Sequence, residues 1–103
     1  MTDNPEQTKR MTGQEVDSRL SSLDGWRVVN SKLEKEFTFR DFVTAFGFMS
    51  SVALVAERQN HHPEWSNVYK RVTISLSTHE VGGISERDFW LAASVDQLLN
   101  ARS

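Results

Sequence analysis

The stretch DFVTAFGFMSSVALVAERQNHHPEWSNVYKRVTISLSTHE, residues 41–80, changes its hydrophobic period once, and that change decides the fold. Up to Asn60, the side chains Phe42, Ala45, Phe46, Met49, Val52, Ala53 and Ala56 recur every three or four residues, which predicts a helix of about four turns with that stripe turned inward. Pro63 forbids a helix through His62, so the helix should end between Arg58 and Asn60. Glu57 then falls in its last turn, and the histidine pair just beyond it. After Pro63 the period drops to two. Residues 64–69 and 71–78 predict a hairpin across the weak turn Tyr69-Lys70, and the second strand alternates Val72, Ile74 and Leu76 with Arg71, Thr73, Ser75 and Ser77. In that register His79 continues the polar row.

Upstream, Thr12 and Glu15 have the spacing of a capping box, and Met11 with Val16 that of a hydrophobic staple. They open a short helix with Val16, Leu20 and Leu23 on one side, closed by the turn Asp24-Gly25. Residues 26–30 and 33–39 read as two strands joined at Asn30-Ser31; Leu33, Lys35, Phe37 and Phe39 share one face of the second, and Glu34, Glu36 and Thr38 the other. Downstream, Gly82-Gly83 makes a turn. Ser85 and Asp88 form a second capping box, opening a helix whose Phe89, Ala92, Val95, Leu98 and Leu99 face inward. The expected fold class is α+β, a four-stranded antiparallel sheet with three helices packed on one face, in the order α-β-β-α-β-β-α. Residues 11–103 form the single domain, and residues 1–10, with nothing to pack, are expected to be a disordered tail. The uncovered sheet face and two free edges invite self-association as a dimer or tetramer.

Composition narrows the function. The chain has 103 residues, with 12 Lys+Arg against 14 Asp+Glu and a net charge of −2, so it lacks a field that would recruit nucleic acid or a membrane surface. It has no cysteine, which removes disulfides, thiolate zinc sites and cysteine nucleophiles. The opening MTDNPEQTKR lacks the apolar stretch of a secretory signal, and no apolar run approaches the ~20 residues of a membrane span. A cytoplasmic location is expected. The sequence holds no GxSxG elbow, Walker loop or dinucleotide fingerprint.

All three histidines, His61, His62 and His79, fall at a helix-to-strand junction and at the end of the last strand. If those strand ends are neighbours, the imidazoles converge on one pocket. Histidine gives and takes protons near neutrality, so the cluster, with Glu57 close by, has the parts for general acid-base work. Trp65 and Tyr69 could wall a flat ligand. Plainer readings compete: His61-His62 before a proline as a polar loop, Glu57 as a solvated helix-end charge, Ser77-Thr78 as ordinary strand residues, and Ser85, Arg87 and Asp88 as a helix start. A metal site is disfavoured, because consecutive histidines in extended chain point to opposite sides and no HExxH spacing supports one.

ERQNHHPEW (57–65), Asn67-Val68-Tyr69 and LSTHEVGGISERDFWLA (76–92) together resemble the signature of the pterin-4a-carbinolamine dehydratases. FRDFVTAFGFM (39–49) is similar to that family's central helix, and Gly25-Trp26 to its first strand. The family is also known as the dimerization cofactor of a liver homeodomain transcription factor. The resemblance implies the same α+β fold and assembly of dimers into tetramers. It also implies loss of water from 4a-hydroxytetrahydrobiopterin to give quinonoid dihydrobiopterin, in tetrahydrobiopterin recycling, with neither metal nor organic cofactor. Carried onto this chain, the catalytic set is His61 and His79 as acids toward the 4a-hydroxyl, and His62 for pterin binding with a part in base catalysis. Substrate-binding positions are Glu57, Asn60, Trp65, Ser77, Thr78 and Glu80. Asn60 stands where the family often has aspartate. The alternative is a protein-interaction scaffold or coactivator that binds a transcription factor's dimerisation helix, in which case the protein would also be nuclear.

Overall fold

The computed structural model describes residues 8–102. The elements are α1 (Gly13–Leu20), β1 (Arg27–Val29), β2 (Lys32–Thr38), α2 (Phe42–Gln59), β3 (Glu64–Val68), β4 (Arg71–Leu76), a 3-10 turn at His79–Val81, and α3 (Glu86–Arg102). The expected order of helices and strands is observed. Of the tail expected over residues 1–10, residues 1–7 lie outside the described part, whereas Arg10 lays its stem against Gly83.

The four strands make one antiparallel sheet in the order β1-β2-β4-β3, so two hairpins join through their second strands. The first hairpin turns on Asn30 and Ser31, both at positive φ, 52° and 63°. A two-residue turn with both central residues left-handed matches the twist of the flanking strands. In the second turn Tyr69 takes φ 54°, and Asn67 steadies it by donating its side-chain amide to the carbonyls of Tyr69 and Arg71.

Leu33, Phe37, Val72, Ile74 and Leu76 line one sheet face and are buried beneath Val16, Phe48, Val52, Phe89, Leu91 and Val95 of the helices. Phe48 stacks with Phe37 at 5.0 Å and Phe39 at 4.9 Å between centroids. Lys35, on the same face, stays there because Asp96 takes its ammonium at 3.0 Å; Asp96 also accepts from the Trp26 indole at 3.0 Å. The opposite face is polar, carrying the ion pairs Arg27–Glu34, Lys32–Glu64 and Arg71–Glu36.

Both capping readings correspond to real bonds. Thr12 and Glu15 exchange hydrogen bonds with each other's backbone, and the Asp88 carboxylate returns to the Ser85 N–H at 2.9 Å. The second box departs in one detail: the Ser85 hydroxyl accepts from Arg87 N–H rather than from that of Asp88. Arg19 of α1 grips Glu86 at the start of α3 at 2.5 and 2.9 Å, and that guanidinium holds the Glu86 carboxyl below the usual carboxylate range. Asp41 caps α2 by accepting from Thr44 N–H, and hydrogen bonding to the Thr44 side chain first and its backbone second lowers the Asp41 pKa.

Two expectations are corrected. The inward stripe of α2 is rotated: Ala45, Phe48, Val52, Val55 and Ala56 are buried and Met49 packs at the margin, whereas Phe42, Phe46 and Ala53 are exposed. Apolar residues occupy both sides of this helix, so periodicity alone could not choose between them. The last strand also stops at Leu76, and His79 opens a 3-10 turn instead of continuing a polar row. The backbone closes there, with Thr78 N–H on the Gly83 carbonyl at 2.8 Å.

Candidate active site

The end of α2 delivers the histidine pair. Asn60 adopts the left-handed conformation at φ 53°, and its N–H bonds the carbonyl of Glu57 while His61 N–H bonds that of Ala56. This pairing of bonds is the Schellman closure, for which glycine or asparagine is suited. Asn60 therefore serves through its backbone: its carbonyl also accepts from the Arg87 guanidinium at 2.6 Å, which pins the helix end to the first turn of α3.

Beyond that hook the two histidines part. His61 is only 7% exposed, and its Nε2 lies 2.6 Å from Asp88 Oδ1. His62 is exposed, with Nε2 2.9 Å from Glu57 Oε1. The Asp88 carboxylate is completely buried, and its other oxygen accepts from Thr78 Oγ1 at 2.8 Å and Ser85 N at 2.9 Å. Thr78 Oγ1 lies 2.6 Å from Ser85 Oγ.

The proton order in this cluster follows by elimination. Thr78 spends its one hydroxyl proton on Asp88, so Ser85 must donate to Thr78, and Ser85 in turn accepts from Arg87 N–H. Asp88 acts as acceptor throughout, so His61 carries its proton on Nε2. The nitrogen left for chemistry is Nδ1. The Glu57 contact assigns His62 the same way, with Nε2–H on the carboxylate and Nδ1 available as an acceptor.

Asp88 ties together two segments far apart in sequence. It holds His61, the neighbour of His62, and Thr78, the neighbour of His79. The junction before β3 and the turn after β4 are thereby anchored to one carboxylate. His79 and Glu80 are exposed on that turn, and Ser77 is half-buried at its base. Trp65, on the edge strand β3, is 36% exposed and pairs with Ile74, which puts it on the helix-bearing side of the sheet. Tyr69 does not join this group: it occupies the turn at the far end of β3, about 16 Å along a five-residue strand. Among the described residues no three His, Cys, Asp or Glu side chains group to hold a metal ion.

Sequence reading missed Asp88 as a site residue, because the capping box with Ser85 already accounted for a carboxylate there. Thr78, expected from the resemblance as a substrate-binding position, is fully buried, with its hydroxyl held by Asp88 and Ser85.

The family model described as pterin 4 alpha carbinolamine dehydratase matches residues 9–98. A protein of Solibacter usitatus carrying the name pterin-4-alpha-carbinolamine dehydratase is 53% identical over 91 residues, covering 88% of this chain and 96% of its own. One of the same name from Rhodopseudomonas palustris is 49% identical over 92 residues, covering 87% and 91%. The crystal structure of a transcriptional coactivator/pterin dehydratase from Brucella melitensis superposes with a TM-score of 0.84 at 42% identity, covering 87% of this chain and 98% of that one.

Proposed function

The chain belongs to the pterin-4a-carbinolamine dehydratase family, and from that premise we propose that it removes water from 4a-hydroxytetrahydrobiopterin by histidine acid-base catalysis. The product is the quinonoid dihydrobiopterin that tetrahydrobiopterin recycling consumes. In this dehydration the lone pair of the ring nitrogen beside C4a forms a C=N bond as the C4a–O bond breaks. The departing hydroxyl takes a proton to leave as water, and the ring nitrogen gives one up to a base. His61, as an imidazolium that keeps Nε2–H on Asp88 and gives its second proton from Nδ1, and His79 are the acids toward the hydroxyl, and His62 binds the pterin and serves as base.

The observation that carries the site is the Asp88 clamp, which brings the chain neighbours of His62 and His79 to one carboxylate. His62 suits the base role because its Nε2–H is committed to Glu57, leaving Nδ1 to accept. Asp88 does not touch the substrate in this scheme; it is a positioning residue that fixes the His61 tautomer. Glu57, Asn60, Trp65, Ser77 and Glu80 border the pterin, and Thr78, fully buried, supports the turn of His79 from beneath. No metal or organic cofactor enters the reaction.

A dehydration assay on a 4a-hydroxytetrahydropterin tests this reading. Replacing His61 and His62 together by alanine should remove all acceleration over the spontaneous rate, a loss of about 10²-fold or more for acid-base groups, with circular dichroism unchanged. Undiminished activity in that variant sinks the assignment.

A second reading draws on the outer face of α2, where Phe42, Val43, Phe46 and Leu54 are 47, 79, 54 and 74% exposed. A stripe of that kind suits association with further copies of the chain, as a homodimer or homotetramer, or with the dimerisation helix of a transcription factor. An oligomer that dissociates when such a helix is added supports the coactivator reading, and one that is indifferent to it opposes that reading. No helix among the described residues is long and apolar enough to cross a membrane. We place the dehydratase in the cytoplasm, and the coactivator role would add the nucleus.

A further inference from the structure

We propose that Arg10 and Met11 form a strap that positions His79, acting through Gly83; this rests on the dehydratase reading, in which His79 meets the substrate. The turn that carries His79 is held within itself by two backbone bonds, Val81 N–H on the Thr78 carbonyl and Gly82 N–H on that of His79. None of its three residues is buried, and its closure depends on a short backbone pairing between Thr78 and Gly83. One side of that pairing is fixed, since Thr78 is fully buried and bonded to Asp88. The other side, Gly83-Ile84, is held by the burial of Ile84 in the core and, at its backbone, by the strap.

Met11 N–H donates to the Ile84 carbonyl at 2.8 Å. Next to it, the methylene stem of Arg10 lies directly on Gly83: a β-carbon at position 83 would sit 2.7 Å from Arg10 Cδ and 3.0 Å from Cγ. Gly83 is buried and does not have a positive φ, so conformational freedom does not explain a glycine there. Close approach of the Arg10 stem does. A cleft of about 300 Å³, bordered by Arg10, Val16, Asp17, Val28, Gly83 and Ile84, lies beside this contact and gives the turn room to shift when it is disturbed.

The test compares Arg10→Ala, Gly83→Ala and the double variant in the full chain. The readouts are kcat and KM on a 4a-hydroxytetrahydropterin and the His79 ring resonances by NMR. Each single variant should lower kcat by about tenfold with KM nearly unchanged, the scale expected when a catalytic group moves by a fraction of an ångström to 1 Å. Each should also shift the His79 resonances. The double variant should recover both, because the methyl added at position 83 fills the volume that the Arg10 stem vacates. Arg10→Met, which keeps the stem and loses the charge, should retain the wild-type His79 resonances. Singles with unaltered kcat and resonances, or a double variant as impaired as the product of the two, would overturn the proposal. A wild-type chain without dehydratase activity would instead overturn the functional reading, and the His79 resonances would still decide whether the strap reaches that residue.

Discussion

Asp88 concentrates more chemistry than any other side chain here: with no exposure to water, it accepts from His61, Thr78 and the Ser85 backbone. Asparagine has one acceptor oxygen and must turn its NH2 toward one of those donors. Asp88→Asn should therefore cost about 1–3 kcal/mol in urea unfolding, the penalty for stranding a buried donor. It should also release the proton on His61 from Nε2, visible in the ring nitrogen shifts. An unaltered tautomer in that variant would mean that Asp88 does not direct His61. The histidines and Glu57 were legible as candidates from residue type and spacing. Asp88 was not, because its bond to His61 joins positions in different elements, and local pattern shows only its cap.

Among the elements, α2 separates what periodicity reveals from what it hides. Its extent and its end near Asn60 were readable from Pro63 and the apolar spacing. Its buried side was not, since Phe46 and Phe48 are equally apolar and only the sheet distinguishes them. Phe48 is fully buried between Phe37 and Phe39, so Phe48→Ala should lose about 3–5 kcal/mol of stability. Phe46→Ala should change the stability of the isolated chain by about 0.5 kcal/mol or less. Equal losses in the two would restore the unrotated stripe.

The link between α1 and α3 has a pH signature. Arg19 depresses the Glu86 pKa in the folded chain, so the stabilisation is present above the unfolded carboxylate value and is lost as pH falls through the folded one. Glu86→Gln should lower the urea midpoint at neutral pH and match the wild type in strong acid. Both side chains are well exposed, at 40 and 68%, which limits the effect to about 1 kcal/mol or less. A deficit that persists unchanged into acid would assign the loss to something other than the ion pair.

At the scale of the whole molecule, the free strand edges and the apolar outer side of α2 leave the monomer with surfaces suited to association. Sedimentation should show a multiple of the chain mass. Phe46→Glu with Leu54→Glu should reduce it without altering the circular dichroism, and a monomeric wild type would remove the assembly reading. The sheet and its one-sided helices were predictable because each strand carries its own alternation. Strand order was less so: it depends on which edges α2 brings together. That crossing also governs how fast the protein can form. Each hairpin zips from neighbours in about 1–10 μs. Pairing Phe37 with Val72, or Leu33 with Leu76, must first close the chain around an entire helix and the β3 strand. Such long loops are entropically slow to close. The meeting of β2 with β4 should therefore set the rate of folding, and the His61 to Asp88 contact, which joins the end of α2 to the start of α3, should form after it.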